Sequence, residues 1–425
     1  MTMDQKLIEV LERQNPWWFG KEYDRGIARL KYYPYLLKYA DTEEILLILG
    51  ARRTGKSTLM YQIIDSLQVP GECILYVNLD EPILQSRGVD PSLLLDIIEY
   101  HVASAKQDRY YIFIDEVQNY DYWDTTLKSL YDTDKRLKFI LTGSTSGLLR
   151  RKTITRLSGR YLINTVYPLT FREYLDFKGL ERITSAEKKH EFRNYLRFGA
   201  FPRIALEEDV HIKEELLKNY YETIYLKDII FPHRLRDNRD LADLLYFIIS
   251  NIGKPFSYNS MSKALGISAD TVKEYLGYAE ESYLIHTLSR FDYSVKKQIQ
   301  NPRKVYCIDT GLVNSVSFSF SENYGRLLEN IVFMELKRRD LDVYYHRNSG
   351  ECDFVTVENK RVTGAIQVTS ELNVSNEKRE IQGLISAMTE YNLNHGLILT
   401  DNTQDTIEKD GMTISVRPVW KWLLE

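Results

Sequence analysis

The sequence predicts an α/β protein with a P-loop parallel sheet core, followed by helical parts and a smaller C-terminal α/β domain. Three observations lead to this prediction. The apolar run Ile45–Leu49 passes into a glycine loop and a helical pattern, and the apolar run Tyr110–Ile114 ends in two acids. Residues 321–425 follow the order helix, three strands, helix, strand. With 425 residues, the chain is longer than one hydrophobic core usually serves, so we expect several domains.

The overall composition is typical of a globular protein. A formal net charge of -4 excludes a uniformly basic nucleic-acid coat but allows a local basic patch. The three cysteines, Cys73, Cys307 and Cys352, are too far apart to indicate a disulfide framework or a zinc site. The charged N-terminus lacks the apolar core of a signal peptide, and no apolar run is long enough to span a membrane. We therefore expect a cytoplasmic protein without a membrane partner.

The first part of the chain, residues 1–35, is predicted to form a helical arm. Trp17 and Trp18 stand side by side in this arm, and the sequence suggests no chemical role for them. Because indoles bury a large apolar area, we expect the two side chains to pack the arm onto the core.

The clearest chemical signal is the loop GARRTGKS, which lies between the first predicted strand and a helical pattern. Gly50 and Gly55 allow backbone N–H groups to curl around phosphates, and the helix N-terminus adds the positive end of its dipole. Lys56 offers a charge to the β- and γ-phosphates, and Ser57 offers a hydroxyl to Mg²⁺. Strand, glycine loop and helix form the context in which this spacing indicates a nucleotide site.

Polar residues at the ends of two further strands fit the same site. Asp115 is predicted to hold Mg²⁺, largely through water, and Glu116 to polarise the attacking water. The strand LKFILTGS ends in Thr142, Gly143 and Ser144. The Thr142 and Ser144 hydroxyls can contact the γ-phosphate or the water, or serve as simple caps. The runs CILYVNL and RYLINTV supply the remaining strands of a doubly wound sheet.

Arginines before the last of these strands could complete a hydrolytic site. An arginine, from the same chain or a neighbouring subunit, often meets the negative charge that develops on the γ-phosphoryl group. The segment RRKTITRLSGR contains Arg150, Arg151, Arg156 and Arg160. Arg156 and Arg160 lie where we expect a subunit edge. A solvated basic loop explains the same residues equally well.

The middle of the chain is predicted to be mostly helical. Residues 169–236 show a pattern typical of a helical lid beside a phosphate-binding core. Residues 237–320 contain two helices, Ser260–Leu265 and Ser268–Glu280, separated by a turn at Gly266 and followed by two strands. This order predicts a winged-helix domain.

Two kinds of partner fit this winged helix. Duplex DNA is favoured by a basic connector between the two strands. The connector residues are Lys296, Lys297, Arg303 and Lys304. A protein partner is favoured by the acidity of the second helix, because acids repel phosphates. These acids are Asp270, Glu274, Glu280 and Glu281. The sequence leaves both partners open.

Several motifs together resemble one family. They are NPWWFG, GARRTGKSTLMYQI, FIDEVQ, LTGSTSGLL, RLSGRYLINTVYPLTFREYL, YLRFGAFPRIAL and YCIDTGL. Over nearly its whole length the chain resembles archaeal and bacterial AAA+ superfamily ATPases that carry a winged helix and a C-terminal restriction-endonuclease-like, or PD-(D/E)XK, domain. The resemblance implies an AAA+ core at residues 36–168 that binds ATP with Mg²⁺.

The resemblance also implies roles for individual residues. Asp115 and Glu116 are the Walker B pair, and Ser144 is a sensor. Arg156 or Arg160 is a finger that acts on an adjacent subunit, which implies a homo-oligomer, most simply a hexamer. The residues implied in ATP binding, around the Walker A motif, are Gly50, Arg53, Thr54, Gly55, Lys56, Ser57 and Thr58.

The tail is similar to a nuclease in its pattern of elements but carries a degenerate set of site residues. Glu329, Asp353 and Gln367 fall on the metal-binding positions of the restriction-endonuclease-like fold. The lysine expected two residues after Gln367 is replaced by Thr369, which has no charge. Gln367 is neutral where a carboxylate would bind Mg²⁺ better.

We therefore predict that residues 321–425 form a nuclease-like domain that does not cleave DNA and serves as a binding or oligomerisation module. Lys360 or Arg361, on the preceding turn, could supply a replacement cation. A packing domain with chance acids is the alternative, and it predicts the same inactivity.

For the whole chain we predict an ATPase that hydrolyses ATP with Mg²⁺ to drive or switch an assembly containing DNA or a protein partner. The first alternative is an ATP-gated nuclease that uses the C-terminal domain. The second is an ATP-dependent scaffold that binds proteins and never contacts DNA.

Overall fold

The computed structural model divides into two compact units. Unit 1 is Met1–Tyr167 with Glu281–Tyr283, and unit 2 is Pro168–Glu280 with Leu284–Glu425. The structure describes residues 4–104, 106–149, 157, 159–235, 238–317, 324–373 and 376–425. Within these residues, no helix combines the length and the apolar character needed to cross a membrane.

Unit 1 is built around a five-stranded parallel sheet. Its strands are β1 Ile45–Leu49, β2 Ile74–Asn78, β3 Tyr110–Asp115, β4 Leu137–Gly143 and β5 Tyr161–Thr165. They lie in the order β2-β3-β4-β1-β5, and every neighbouring pair is parallel. The predicted α/β class with a parallel core is confirmed. Because β1 and β3 both flank β4, the glycine loop and the paired acids emerge at one edge of the sheet.

Helices flank this sheet, and its three central strands are buried. The helices are α1 Gln5–Gln14, α2 Tyr33–Ala40, α3 Lys56–Ser66, α4 Pro82–Gln85, α5 Leu93–Ser104 and α6 Trp123–Thr133. Short 3₁₀ turns lie at Pro16–Phe19, Gly71–Cys73, Val117–Asn119 and Ser146–Leu149. Every residue of β1, β3 and β4 is buried, as expected for apolar strands in a doubly wound sheet.

The N-terminal arm packs onto the edge strand β2. The indole N–H groups of Trp17 and Trp18 both donate to the carbonyl of Ile74, at 3.3 and 2.8 Å. The Asn15 side chain donates to the carbonyl of Tyr76 at 2.9 Å and accepts its backbone N–H at 2.7 Å. The tryptophans thus hold the arm to the core, and the arm satisfies backbone groups that an edge strand leaves unpaired.

Unit 2 begins with helices. They are α7 Phe171–Phe177, α8 Ser185–Phe198, α9 Pro202–Leu206 and α10 Val210–Thr223, then a π-helical stretch Ile224–Ile230 and α11 Phe231–His233. Thr170 and Thr184 begin α7 and α8 as capping boxes with Glu173 and Glu187, which explains why the helices start there.

A helix-turn-helix and an antiparallel strand pair follow, in the predicted order. The elements are α12 Arg239–Ser250, α13 Tyr258–Leu265, α14 Ala269–Glu281, β6 Ile285–Ser289, α15 Val295–Gln300, β7 Arg303–Cys307 and α16 Thr310–Val316. Gly266 ends α13 with a φ of 72°, a backbone conformation that favours glycine. The connector between β6 and β7 contains a short helix, which the sequence did not predict, and Phe256 forms a further bridge to Arg303.

The chain ends in a mixed six-stranded sheet. Its elements are α17 Tyr324–Arg338, β8 Asp342–Arg347, β9 Glu351–Glu358, β10 Arg361–Val368, α18 Glu377–Tyr391, β11 His395–Thr400, β12 Asp405–Lys409, β13 Met412–Pro418 and α19 Val419–Trp422. The strand order is β12-β13-β11-β10-β9-β8, with β8, β9 and β10 antiparallel and β10, β11 and β13 parallel. The predicted succession of helix, three strands, helix and strand is observed, and β12 and β13 extend it.

Candidate functional site

The glycine loop connects β1 to α3 in a conformation that only its glycines allow. Gly50 has a φ of 147°, and a Cβ at this position would lie 2.1 Å from the carbonyl oxygen of Val166. Gly55, with a φ of 95°, immediately precedes α3. A side chain has no room at Gly50 and would be strained at Gly55, so the loop can turn sharply from the sheet into the helix N-terminus. This is the geometry that a bound phosphate requires.

Lys56 lies folded over its own loop. Its Nζ donates to the carbonyls of Gly50 at 2.9 Å and Ala51 at 3.0 Å, and the side chain is buried. Thr54 supports the loop by donating to the Ala51 carbonyl at 2.9 Å. Neutral carbonyls are weaker partners for an ammonium than a phosphate, so a phosphate can compete with them for Lys56.

Asp115 is held by hydroxyl groups from three elements. Tyr76 donates to its Oδ2 at 2.8 Å, Thr142 donates to its Oδ1, and Ser57 is also hydrogen-bonded to it. Burial, and then the neighbouring charge of Glu116, raise the pKa of Asp115 although these hydrogen bonds lower it. The carboxylate and the Ser57 hydroxyl form a set of oxygen ligands that suits Mg²⁺.

Glu116 stands beside Asp115, and neighbouring donors restrain its carboxylate. Gln118 donates to its Oε2, and Nη1 of Arg52 lies 3.5 Å from the same oxygen. The Gln118 amide also donates to the hydroxyl of Ser144 at 3.0 Å. Burial opposes ionisation of Glu116, but Lys56 and Arg52 outweigh it and lower its pKa. The backbone of Glu116 is left-handed, with φ at 56°, and its N–H donates to Thr142 at 3.0 Å.

Thr142 and Ser144 therefore organise the acids. Thr142 links them, because its hydroxyl accepts the N–H of Glu116 and donates to Asp115. Ser144 reaches Glu116 directly and through Gln118. Both residues are fully buried. The sensor role of Ser144 stays a prediction.

A buried arginine of the N-terminal arm supports the glycine loop. Arg29 is 2% exposed, and its Nη1 donates to the carbonyls of Thr54 and Tyr167, each at 2.9 Å. Its guanidinium also lies over the ring of Tyr32, with 4.7 Å to the centroid. Because the arm holds the loop from outside the motif, the phosphate-binding conformation depends on residues that the motif does not include.

The arginines predicted to be a finger are placed only in part. Arg150, Arg151 and Arg156 lie outside the described residues. Arg160 pairs with Asp132 and lies immediately before β5. Since β5 runs parallel to β1, Arg160 is at the end of the sheet opposite the glycine loop of its own chain.

The basic residues predicted to contact DNA are separated by the structure. Lys296 and Lys297 are exposed on α15, whereas Arg303 is half-buried with its guanidinium over the ring of Tyr258. Lys304 is only 1% exposed, and its ammonium is bonded to acids of the C-terminal domain. The prediction that Lys304 contacts DNA is therefore wrong, because a buried and fully paired ammonium cannot reach a phosphate backbone.

The C-terminal acids predicted from the tail come together. Glu329 on α17 and Asp353 on β9 both accept from Nζ of Lys304 at 3.1 Å. Gln367 on β10 accepts the backbone N–H of Asp353 at 3.1 Å and donates to Glu380 at 2.6 Å. Thr369 does not join the cluster, since its hydroxyl donates to the carbonyl of Glu371 at 3.0 Å.

The structure places Lys360 and Arg361, which were predicted as possible sources of a replacement cation, away from Asp353. Asn359 and Lys360 form the turn between β9 and β10, each with a positive φ, and Arg361 pairs with Glu358 next to this turn. Asp353 lies five residues before Glu358 on the same strand, about 16 Å away at the usual rise of a strand. Lys304, from β7, supplies the cation instead.

Several site residues escaped the sequence interpretation. Gln118 and Arg52 stand inside the quoted motifs, so their positions were visible but their contacts were not. Tyr76 shares a face with Asp115, which follows once β2 is known to pair with β3. Lys304 and Tyr306 lie two residues apart on one face of β7, and both contact Glu329. A lysine on the same strand face as a tyrosine was the one sequence signal that Lys304 could point inward.

Two family models match successive parts of the chain. Residues 42–175 match the AAA domain family. Residues 189–323 match a domain of unknown function, DUF8612. The first match covers the glycine loop, both acids and all five strands of unit 1.

Relatives match over most of the chain. The uncharacterized protein MJ1544 of Methanocaldococcus jannaschii is 33% identical over 404 residues, covering 90% of this chain and 88% of its own. An uncharacterized protein of Haemophilus influenzae is 29% identical over 412 residues, covering 94% of this chain and 99% of its own.

Solved structures show a more distant likeness. Cdc6p from Pyrobaculum aerophilum has a TM-score of 0.32 and 11% identity, covering 70% of this chain and 96% of its own. The RuvB Holliday junction branch migration motor of Thermotoga maritima has a TM-score of 0.31 and 19% identity, covering 70% and 95%. Likeness at this level does not transfer a function.

Proposed function

The chain belongs to the same protein family as MJ1544 and contains an AAA domain, and on this premise we propose that it is an ATPase that hydrolyses ATP with Mg²⁺. One observation carries the proposal. The ammonium of Lys56, the hydroxyl of Ser57 and the carboxylates of Asp115 and Glu116 meet at one edge of a parallel sheet, around a loop shaped for phosphates. Gly50 to Thr58 would surround the nucleotide phosphates.

Each residue would have a distinct task in hydrolysis. Lys56 would leave the carbonyls of its own loop and pair with the β- and γ-phosphates. Ser57 and Asp115 would hold Mg²⁺, which when bound neutralises phosphate charge. Glu116 would orient a water and accept its proton as the water oxygen bonds to the γ-phosphorus and the bond to the ADP oxygen breaks.

Glu116 lies in a restrained state that has to be released first. Arg52 and Gln118 both direct N–H groups at the carboxylate that would accept the proton. A carboxylate stabilised in this way is a weaker base, because both donors favour its ionised form. We infer that a bound γ-phosphate would attract Arg52 and so free Glu116 for the water.

The test is Mg²⁺-dependent ATP turnover and ATP binding by two variants. Lys56→Ala should lose ATP binding, because the phosphates lose their principal cation. Glu116→Gln should bind ATP with near-normal affinity and hydrolyse it at least about 100-fold more slowly. Glu43→Gln, an exposed acid of the same unit, is the control. Wild-type turnover by Glu116→Gln would show that another group activates the water.

A homo-oligomer, most simply a hexameric ring, is part of the proposal. Arg160 lies at the end of the sheet away from its own loop, which supports an action on a neighbouring subunit. Arg156, outside the described residues, is the other proposed finger. Mixing subunits tests this. A Lys56→Ala subunit should restore turnover to a subunit that lacks the finger. Full activity of a strictly monomeric protein would contradict it.

The remaining domains would connect the ATPase to a substrate. We propose a helical lid at 169–236, a winged helix at 237–320 and a restriction-endonuclease-like domain at 321–425 that binds without cleaving. Exposed Lys296 and Lys297 support contact with duplex DNA, whereas the acids of α14 support a protein partner. DNA-stimulated turnover that weakens with salt favours DNA, and turnover indifferent to DNA at every salt concentration favours the protein scaffold.

A further inference from the structure

A buried lysine lies at the centre of the C-terminal acid cluster. Nζ of Lys304 is 3.1 Å from Oε1 of Glu329, 3.1 Å from Oδ1 of Asp353 and 3.0 Å from Oε1 of Glu351. An ammonium has three N–H donors, and here a carboxylate oxygen faces it from each of three residues.

The surrounding polar groups complete the cluster from within the protein. Tyr306 donates to Glu329 at 2.6 Å, and the N–H of Val368 donates to Oδ2 of Asp353 at 3.0 Å. Gln367, at the third predicted metal position, is bonded to the backbone of Asp353 and to Glu380. These acids are thus hydrogen-bonded to protein donors.

This arrangement does not fit the metal that the fold implies. Mg²⁺ needs close to six oxygen ligands at about 2.0–2.1 Å. Lys304 lies within 3.1 Å of both acids that would provide them, and an ammonium and a divalent cation repel each other at such a separation. Among the described residues, no group of three or more metal-ligating side chains is arranged to hold an ion.

We propose that the ammonium of Lys304 occupies the position at which nucleases of this fold bind their metal, so that the acid cluster contains its own cation. The inference rests on the proposed restriction-endonuclease-like fold but not on the proposed ATPase activity. The absence of a lysine at position 369 does not by itself imply this, because the cation that pairs with the acids comes from another element, β7.

Lys304 connects two parts of unit 2, because it comes from a different element than the acids. Lys304 belongs to β7, the second strand of the winged-helix pair, whereas Glu329 and Asp353 belong to α17 and β9. The ammonium therefore fastens the strand pair to the C-terminal sheet. A metal ion would neutralise the acids without making this connection.

The cluster is open to added ions. A cavity of about 630 Å³ lies in front of it, lined among others by Glu351, Asp353, Gln367 and Arg379. Removal of the ammonium should therefore leave acids that an ion from solution can reach. The occupancy of the site can then be tested directly with Mn²⁺.

The experiment is a Mn²⁺ titration of the full chain without nucleotide, followed by electron paramagnetic resonance. Wild type should show no Mn²⁺ binding that depends on Asp353. Lys304→Met should gain one Mn²⁺ per chain, and Lys304→Met/Asp353→Asn should lose it. Lys263→Met, which removes an exposed lysine of the same unit, should behave as wild type. Mn²⁺ bound by wild type and lost in Asp353→Asn would overturn the proposal.

Thermal unfolding provides a second readout that still applies if Lys304→Met is less stable than wild type. Millimolar Mn²⁺ should raise the melting temperature of Lys304→Met by about 3 °C or more, and that of wild type and Lys263→Met by less than about 1 °C. Equal shifts in all three proteins would show that the acids do not form a cation site and would overturn the proposal. Because ATP is absent, neither result depends on the ATPase proposal.

Discussion

Two buried lysines, Lys56 in unit 1 and Lys304 in unit 2, differ in what holds them. Lys56 donates to two backbone carbonyls at 2.9 and 3.0 Å. Lys304 lies 3.0–3.1 Å from three carboxylates. A charged partner makes a much stronger hydrogen bond than a neutral one.

The difference teaches how burial relates to function. A phosphate can displace the carbonyls around Lys56, because it offers charge where they offer only dipoles. Lys304 is already paired with three carboxylates, so an anion in the cavity beside it would have to displace charged partners. The first lysine is thus ready to bind a ligand, and the second is a structural cation.

The largest expected effect comes from removing the same charge in both places. Lys304→Met should lower the free energy of unfolding by about 3–5 kcal/mol, because it leaves buried acids without a counter-ion. Lys56→Met should cost about 1–2 kcal/mol, since it removes hydrogen bonds to neutral carbonyls. Calorimetric unfolding of both variants measures the contrast.

A paired variant sharpens this result. Lys304→Met/Glu329→Gln removes one acid with the cation, so it should be more stable than Lys304→Met alone. Equal losses of stability for Lys304→Met and Lys56→Met would contradict the distinction drawn between the two lysines.

The next effect is a pH dependence that arises at Glu329 in the acid cluster. Burial, and then the charge of Asp353, raise the pKa of Glu329 from 4.5 to about 7, although Lys304 opposes the shift. The folded state then binds the proton more tightly, so the stabilisation is complete below pH 4.5 and is lost as the pH rises through about 7.

Relative to Glu329→Gln, wild type should lose about 1–3 kcal/mol of unfolding free energy between pH 4.5 and 7. Glu377→Gln, an exposed acid at the start of α18, should keep the wild-type slope. Parallel curves for wild type and Glu329→Gln would show that Glu329 titrates normally.

A smaller effect is expected at the restrained acid of unit 1. Gln118→Ala removes one donor from Glu116, which should become a better base and raise basal ATP turnover by roughly threefold to tenfold. Asn119→Ala, whose side chain contacts Leu79 and Asp80 instead, is the control. Slower turnover in Gln118→Ala would mean that Gln118 positions the base and does not restrain it.

The last expectation is that the protein does not cleave DNA. Incubation of the protein with single-stranded, duplex or branched DNA, ATP and Mg²⁺ or Mn²⁺ should give no cleavage, because Lys304 occupies the acids. Cleavage that disappears in Asp353→Ala would contradict this expectation and favour the ATP-gated nuclease.

Local patterns predicted unit 1 well, and long-range contacts explain what they missed. Gly50 to Ser57 and the Asp115–Glu116 pair lie in short stretches whose strand and helix context is visible in the sequence. Lys304 is 25 residues from Glu329 and 49 from Asp353, and it belongs to a different element. Its basic neighbours suggested a surface connector, whereas tertiary packing turned this one side chain inward.

The acid pair shows the same limit on a smaller scale. The motif predicts Glu116 as a base, but its restraint by Arg52 and Gln118 depends on side-chain directions that no spacing contains. Arg29 likewise reaches Thr54 from 25 residues away. Residue types indicate which groups could take part in the chemistry, but only the packed structure shows which neighbours restrain those groups.

The attachment of Asn15 to β2 has a consequence for synthesis. The carbonyl and N–H that Asn15 contacts belong to Tyr76, 61 residues later in the chain. At ribosomal speeds of 5–20 residues per second, the arm is made roughly 3–12 s before its partner strand. During that interval Trp17 and Trp18 have no edge strand to bind. The arm therefore cannot dock until a strand made later in synthesis is available.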